Sequence, residues 1–244
     1  MTSRRRAVLR TVAALLVAVI VVGASGFLVY ANVTSAAERE PLAEVADDPS
    51  VVIDYSRDSV VLTPASDANG DGLVFIAGAK IEPVAYAYKL SGLVDAGYTV
   101  VIVRPFLNFG LFETRPLSAF TGLAPSVSDW FVGGHSLGGV KACMYADSPD
   151  VQGLVLFGSY CANDLSGSDL AVVSLSGSAD GLSTPDKIDA NKKYLPADTL
   201  FVEIDGANHA AFGDYGLQAG DGDSSIDDSD MRDVITDTIT GALQ

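Results

Sequence analysis

Residues 134–138 contain a serine in the spacing of a hydrolytic nucleophile. The stretch reads Gly134-His135-Ser136-Leu137-Gly138, a G-x-S-x-G pattern that is weak evidence by itself. Its setting strengthens the case, because the apolar run Trp130–Gly133 precedes it and the helical stretch Val140–Ala146 follows it. A strand, a sharp turn and a helix are what expose such a serine for attack. We therefore predict that Ser136 is a nucleophile.

A serine hydroxyl attacks efficiently only when a base removes its proton. The chain contains two histidines, of which His135 is the direct neighbour of Ser136 and is expected to point away from it. His209 follows the predicted strand Leu200–Ile204, so we predict that it is the general base. The alternative is an ordinary loop histidine.

The base needs an acid to orient it, and Asp180 is our candidate. It follows the predicted strand Ala171–Ser176, at the end of a parallel strand where open sheets bind ligands. It also lies between Ser136 and His209, in the order serine, acid, histidine. Three other aspartates in that interval are weaker candidates: Asp186 and Asp189 lie within the next predicted helix, and Asp205 is too close to His209 in sequence. The alternative for Asp180 itself is an ordinary turn aspartate.

Such a serine also needs two backbone N–H groups that stabilise the oxyanion. Leu137 directly follows the nucleophile and is expected to supply one of them. The second is expected from the loop after the predicted strand Leu73–Ala77, with Ala79 as first choice and Lys80 as the alternative.

The elements that would position these residues alternate between strand and helix. Leu73–Ala77 is a continuous apolar run, which is typical of a strand buried on both faces. Alternation of this kind predicts an α/β fold with a mostly parallel sheet and helices on both faces. The other predicted strands are Val51–Tyr55, Ser59–Thr63, Tyr98–Val103, Trp130–Gly133, Gly153–Phe157, Ala171–Ser176 and Leu200–Ile204, and the predicted helices are 82–96, 136–147, 185–194 and 230–243.

The first 37 residues have the composition of a membrane anchor or a signal peptide. Four arginines lie within the first ten residues, and no charged side chain occurs from Thr11 to Ala37. An apolar stretch of this length favours an uncleaved anchor over a signal peptide, although Ser35-Ala36-Ala37 would suit cleavage and release. Arginines before the span favour a cytoplasmic amino terminus. Both hypotheses put the remaining chain outside the cytoplasm.

Charge and composition exclude several classes of partner. The net charge is −16, and without the four leading arginines it is about −20. A surface this acidic repels nucleic acid and anionic lipid at long range, so binding to nucleic acid is not expected. Two histidines and two cysteines form no ligand cluster of zinc-like spacing, and we expect no metal or cofactor. Cys143 and Cys161 lie in apolar stretches, where either a disulfide or two buried thiols would fit.

Taken with these motifs, the chain from about Val51 to Leu243 resembles the α/β-hydrolase superfamily. The similarity is strongest to small bacterial members related to dienelactone hydrolases and exported esterases. It includes the stretches 78–83, 96–98 and 209–216. Dienelactone hydrolases use a cysteine nucleophile where this chain has Ser136, and Ala77-Gly78 stands where His-Gly is usual.

The resemblance implies an α/β-hydrolase fold without a sizeable lid, since residues 158–170 are short and polar. It also implies a serine hydrolase acting on a small ester or related acyl compound. Acyl transfer by the same residues and a non-catalytic, membrane-tethered binding protein are the alternatives. We expect three parts: the anchor or signal peptide 1–37, a polar tether 38–50 and a hydrolase domain 51–244.

Overall fold

The computed structural model describes residues 3–243, which form eight strands, seven helices and several 3-10 turns. The helices are α1 Ser3–Asn32, α2 Arg39–Asp47, α3 Ala87–Asp95, α4 Ser118–Thr121, α5 Leu137–Tyr145, α6 Pro185–Asn191 and α7 Asp228–Ala242. The strands are β1 Val51–Tyr55, β2 Ser59–Pro64, β3 Asp71–Ile76, β4 Thr99–Val103, β5 Asp129–His135, β6 Val151–Phe157, β7 Ala171–Gly177 and β8 Leu200–Ile204.

The eight strands form one sheet in the order β1-β2-β4-β3-β5-β6-β7-β8. Strand β2 is antiparallel to both β1 and β4, and every pairing from β4 across to β8 is parallel. The carboxyl ends of the parallel strands therefore meet at one edge of the sheet. The fold class expected from the alternating pattern is confirmed.

Two hydrophobic cores lie on the two faces of this sheet. Successive residues of a strand point to opposite faces, so Leu73 and Phe75 contribute to the core beneath α3 and α7, whereas Val74 and Ile76 contribute to the core beneath α5. All four side chains are buried. This is why β3 is apolar without interruption.

Residues 38–50, where the sequence predicts a tether, contain helix α2. Val45 of this helix is buried, and Leu42 is partly buried against the core beneath α3. Residues three apart share one face of a helix, so two apolar side chains are enough to dock this short, polar segment. Pro41 lies in the first turn, where its missing N–H leaves no unmade helical bond.

Helix α1 is long and apolar enough to cross a membrane. The stretch Ala7–Asn32 has 26 residues and a mean hydropathy of 2.8. By length and composition alone, it fits both a membrane anchor and a signal sequence. Its last turn packs on the domain: Ala31 is buried and accepts a hydrogen bond from Asn108 Nδ2 at 2.9 Å.

The connection between β6 and β7 is short and held in place. The structure describes all of residues 158–170, and none of them is helical, as expected for a hydrolase without a sizeable lid. Cys161 of this segment forms a disulfide with Cys143 of α5, which resolves the two alternatives for the cysteines. The bond fastens the segment to the helix that begins directly after Ser136.

Candidate active site

Ser136 occupies the sharp turn between β5 and α5. Its backbone φ is 54°, in the left-handed region that non-glycine residues avoid. A hydrogen bond from its N–H to the carbonyl of Phe157, 3.0 Å long, supports this conformation. The turn also requires glycine at position 138, because an added Cβ would overlap the carbonyl oxygens of Ile76 and Ala77.

Asp180 and His209 are brought together at the same edge of the sheet. Oδ2 of Asp180 lies 2.7 Å from Nδ1 of His209, and the two residues are only 3% and 1% exposed. The other carboxylate oxygen, Oδ1, accepts hydrogen bonds from the N–H groups of Leu182 and Ser183 at 2.8 and 2.6 Å. Both oxygens of Asp180 are thus engaged, and the orientation of the imidazole is determined by the aspartate.

The opposite ring nitrogen of His209, Nε2, is buried and has no hydrogen-bond partner among the described residues. His135, the residue before Ser136, contacts this histidine: the centroids of the His135 and His209 rings are 4.3 Å apart. Gly158, directly after the strand that bonds Ser136, faces the Asp180–His209 pair. Residues that neighbour or bond Ser136 therefore contact the Asp180–His209 pair, and no hydrogen bond between Ser136 and His209 is found among the described residues.

His135 is the centre of a second, buried network. The N–H of Gly78 donates to Tyr86 Oη at 3.0 Å, and this oxygen lies 2.9 Å from His135 Nδ1. Gly78, Tyr86 and His135 thus form one buried chain of hydrogen bonds. Burial, and then the nearby His209, lower the pKa of His135 well below its usual value, and burial raises the pKa of Tyr86. Both groups are neutral at pH 7.

In the loop after β3, residues 78–81, one backbone N–H makes no described hydrogen bond. Gly78 donates to Tyr86, Lys80 donates to the carbonyl of Asn108, and Ile81 donates to the carbonyl of Gly78. Among the described hydrogen bonds, Ala79 has no acceptor for its N–H. This arrangement favours Ala79 over the alternative, Lys80. Leu137, at the start of α5, likewise donates to no described acceptor.

Two further residues position the cluster and were not found from the sequence. Tyr86 joins the loop at Gly78 to His135, as described above. Asp221 accepts hydrogen bonds from the N–H groups of Gly181, His209 and Ala210 at 3.0, 3.1 and 2.8 Å. It therefore joins the loop of the acid to the loop of the histidine. In sequence it is one aspartate of an acidic stretch, and only its place between Gly220 and Gly222 hinted at a tight turn.

A separate acidic cluster has the spacing of a cation site. Carboxylate oxygens of Glu38, Asp214 and Asp228 lie within 4.8 Å of one another. The ammonium group of Lys89 already lies among them, 2.6 Å from Asp214 and 2.7 Å from Asp228. Burial, opposed by Lys89, raises the pKa of Asp214 to about 6. The Lys89–Asp214 ion pair is the buried centre of this cluster, and the two outer carboxylates, Glu38 and Asp228, are exposed.

The chain is similar in sequence to the alpha/beta hydrolase family, whose model matches residues 72–233. No curated protein sequence is significantly similar to it. A predicted CIB-like hydrolase from Thermoplasma acidophilum has a similar structure, with a TM-score of 0.60 and 11% identity, over 78% of this chain and 99% of that one. The protein TT1662 from Thermus thermophilus superposes with a TM-score of 0.57 and 14% identity, over 80% of this chain and 98% of its own.

Proposed function

The chain belongs to the alpha/beta hydrolase family, and we propose that it is a serine hydrolase acting on a small ester or a related acyl substrate. The observation that carries the proposal is the buried pair of Asp180 and His209, 2.7 Å apart, next to a serine held at a positive φ. Each feature carries a cost in stability, because Nε2 of His209 is buried without a partner among the described residues and the positive φ of Ser136 strains the backbone. Such costs are typical of catalytic sites.

In the proposed reaction, Oγ of Ser136 attacks the substrate carbonyl while Nε2 of His209 takes the hydroxyl proton. The hydrogen bond between these two atoms forms when substrate binds, as it does in many hydrolases whose free sites are loosely aligned. Asp180 stabilises the imidazolium. The N–H groups of Leu137 and Ala79 donate to the oxyanion, and the alcohol leaves with the proton from Nε2.

Water completes the reaction. It gives a proton to Nε2 of His209 and attacks the acyl-serine, and the second tetrahedral intermediate then releases the carboxylic acid and restores the Ser136 hydroxyl. If an alcohol replaced water at this step, the product would be a new ester. The enzyme would then be an acyltransferase using the same residues.

A fluorophosphonate probe tests the proposal, because it labels only an activated serine. We expect labelling of the wild-type chain, no labelling of Ser136→Ala and, for His209→Gln, labelling slowed by several orders of magnitude, since the two residues act as a unit. Ser166→Ala removes an exposed serine from the loop between β6 and β7 and should label normally. Absence of labelling in the wild type would instead favour a binding protein. Adding an alcohol during ester turnover distinguishes transfer from hydrolysis.

We further propose that α1 is an uncleaved anchor and that the hydrolase domain lies outside the cytoplasmic membrane. The arginines before the span support this orientation. The disulfide between Cys143 and Cys161 supports it independently, because disulfides persist mainly in oxidising compartments.

A further inference from the structure

The segment Arg104–Arg115, here called the aromatic loop, exposes large apolar side chains beside the end of α1. Phe106, Leu111 and Phe112 are 59%, 55% and 44% exposed. Most exposed apolar residues of a soluble domain are scattered singly, but these three lie within seven positions of one loop. The loop follows β4, at the edge of the sheet where the candidate site lies.

Contacts with α1 determine the height of this loop relative to a membrane. Phe27 of α1 lies against Phe109 and Phe112, with ring centroids 6.3 and 6.0 Å apart. Phe27 precedes the end of α1 at Asn32 by five residues, or about 7 Å at 1.5 Å per residue. The 26 residues of Ala7–Asn32 extend over about 39 Å at the same rise per residue. This length exceeds a hydrocarbon core of about 30 Å, so the last turns of a membrane-spanning α1 reach the headgroups. With α1 spanning a bilayer, the aromatic loop lies level with the boundary between headgroups and hydrocarbon.

A cavity of about 400 Å³ opens between the aromatic loop, the β1–β2 turn and the end of α1. Its lining includes Asn32, Phe106, the three arginines Arg57, Arg104 and Arg115, and the two carboxylates of Asp58 and Glu113. Only five arginines follow the leader in the whole chain, so three of the five converge on one cavity of a strongly acidic protein. Such a concentration is unexpected for a solvated acidic surface.

Two of these arginines have no carboxylate partner. Arg115 is paired with the buried Glu113 and, at 3.5 Å, with Asp58. Among the described ion pairs, none involves Arg57 or Arg104. Nearby, the ammonium of Lys80 lies 3.7 Å from the centroid of the Tyr30 ring of α1. The cavity thus presents unneutralised cationic groups at the level of the headgroups.

We propose that the aromatic loop docks on the outer surface of the membrane, with Phe106, Leu111 and Phe112 in the interface. The cavity of Arg57, Arg104 and Arg115 receives the phosphate of an anionic phospholipid. The apolar side chains and the cationic groups match the two layers of a lipid surface, hydrocarbon boundary and phosphate. The proposal rests on α1 being a retained anchor, and none of the three docking side chains or three arginines is a proposed catalytic residue.

Tryptophan quenching in vesicles tests the docking. The full chain is reconstituted with lipids brominated near the headgroup, and Phe112→Trp is compared with Leu200→Trp, using wild-type Trp130 fluorescence as background. Leu200 has similar exposure, 41%, but it is the first residue of β8 and lies at the amino ends of the parallel strands, whereas the aromatic loop follows the carboxyl end of β4. We expect quenching of Phe112→Trp and none of Leu200→Trp. Equal quenching of the two, or none of either, would overturn the docking.

Tyr30→Trp, within α1 itself, separates this outcome from failure of the anchor. If Tyr30→Trp is quenched and Phe112→Trp is not, α1 lies in the membrane and the docking proposal alone is wrong. If Tyr30→Trp is also unquenched, the anchor is absent from the bilayer and both proposals are wrong.

Binding of short-chain lipid tests the cavity. We expect dihexanoyl phosphatidylglycerol to bind the full chain in neutral detergent more tightly than dihexanoyl phosphatidylcholine. Arg57→Gln with Arg104→Gln should weaken phosphatidylglycerol binding about fivefold or more, the scale expected for one or two basic groups near an anionic headgroup. Lys192→Gln with Lys193→Gln removes the same charge elsewhere and should have no effect. Equal affinity for both lipids, or tighter binding of inorganic phosphate, would contradict a lipid site.

Discussion

At the residue scale, the proposed base is held from two sides. Asp180 bonds to the ring of His209, and Asp221 accepts the backbone N–H groups of His209 and Ala210. The first contact orients the imidazole and the second positions the loop that carries it. A displacement of about 1 Å at a catalytic group can lower the rate about 100-fold, so the backbone contact matters as much as the side-chain contact.

We predict that Asp221→Asn lowers kcat by about 10- to 100-fold with little change in KM. An amide keeps the size of the side chain but turns an NH₂ group toward the backbone donors, so His209 is displaced while the substrate surface is unchanged. Steady-state kinetics on p-nitrophenyl acetate measures this. Asp223→Asn removes an exposed aspartate of the same loop and is the control. Equal effects of both substitutions would show that only the charge of the loop matters.

The buried ion pair of Lys89 and Asp214 gives a pH dependence of stability. Burial raises the pKa of Asp214 to about 6 from the ordinary 3.8, so the folded state binds this proton more tightly than the unfolded state. The contribution of Asp214 to stability is therefore largest below pH 3.8 and is lost as the pH rises through 6. The charged groups facing it are Lys89, Asp228 and Glu38.

We accordingly expect the free energy of unfolding of the wild type, relative to Asp214→Asn, to fall by about 2 kcal/mol from pH 4.5 to pH 7. Denaturant unfolding of both chains in detergent at the two pH values measures this difference. A difference that stays constant, or that grows toward pH 7, would show that Lys89 keeps Asp214 ionised throughout.

At the scale of elements, the segment after α1 is connected to the proposed oxyanion loop. Ser35 N–H donates to the carbonyl of Lys80 at 2.7 Å, and the N–H of Glu82 donates to the carbonyl of Ser35 at 3.0 Å. These bonds flank Ile81 and hold the loop that contains Ala79. Residues 33–38 therefore support the site as well as leading to the domain.

We predict that Ser35→Pro lowers kcat by about tenfold, because proline lacks the N–H that bonds Lys80 and the oxyanion donor is less well positioned. Removing one oxyanion donor entirely costs about 100- to 1000-fold, so a partial displacement should cost less. Ser35→Ala keeps both backbone bonds and should be as active as the wild type. A chain cleaved after Ala37 lacks Ser35 and both of its backbone hydrogen bonds, so its activity should also be low. Full activity of Ser35→Pro would show that the loop needs no such support.

The segment between β6 and β7 is expected to limit the size of the substrate. It has no helix, and the Cys143–Cys161 disulfide holds it against α5, so it cannot cover a long acyl chain. Each methylene that stays in water forgoes about 0.8 kcal/mol of burial. We expect activity to fall beyond roughly eight acyl carbons, measured with p-nitrophenyl esters from acetate to palmitate. Highest activity on palmitate would mean that residues 104–128 form an acyl tunnel.

At the scale of the whole molecule, a strongly acidic domain is joined to a helix that begins with arginines. The domain carries the disulfide and most of the negative charge. A charge near −20 after removal of the leading arginines favours solubility of such a domain and disfavours contact with nucleic acid. The acidic charge and the disulfide are thus both consistent with a domain exposed outside the cell membrane.

We predict that protease added to intact cells stripped of their wall digests the hydrolase domain. The arginines at 4, 5, 6 and 10 remain on the cytoplasmic side, so only the part after α1 is accessible. Immunodetection of a carboxy-terminal tag follows the digestion, and lysed cells provide the control for complete cleavage. Protection of the domain in intact cells would place it inside.

The sequence by itself determined the order of the eight strands along the chain, the fold class and the positions at which catalytic residues were expected. These features are local: a strand buried on both faces is apolar throughout, and the turn after β5 requires serine and glycine at set spacings. Ser136, Asp180 and His209 were selected because each follows a predicted strand, and parallel strands end at one edge. The chemical roles of these residues remain predictions.

Only the tertiary structure decided what surrounds and supports those residues. Tyr86 reaches His135 over 49 positions, and Asn108 reaches Ala31 over 77. In contacts such as those of Asp221 and Ser35, at least one partner is a backbone group, which every residue possesses, so no residue type signals them in advance. The docking of α2 was also not foreseeable from its own residues, because it depends on the core already formed beneath the helix. Pairing of Cys143 with Cys161 likewise required their Cα atoms to lie 5.5 Å apart, a distance that the fold alone determines.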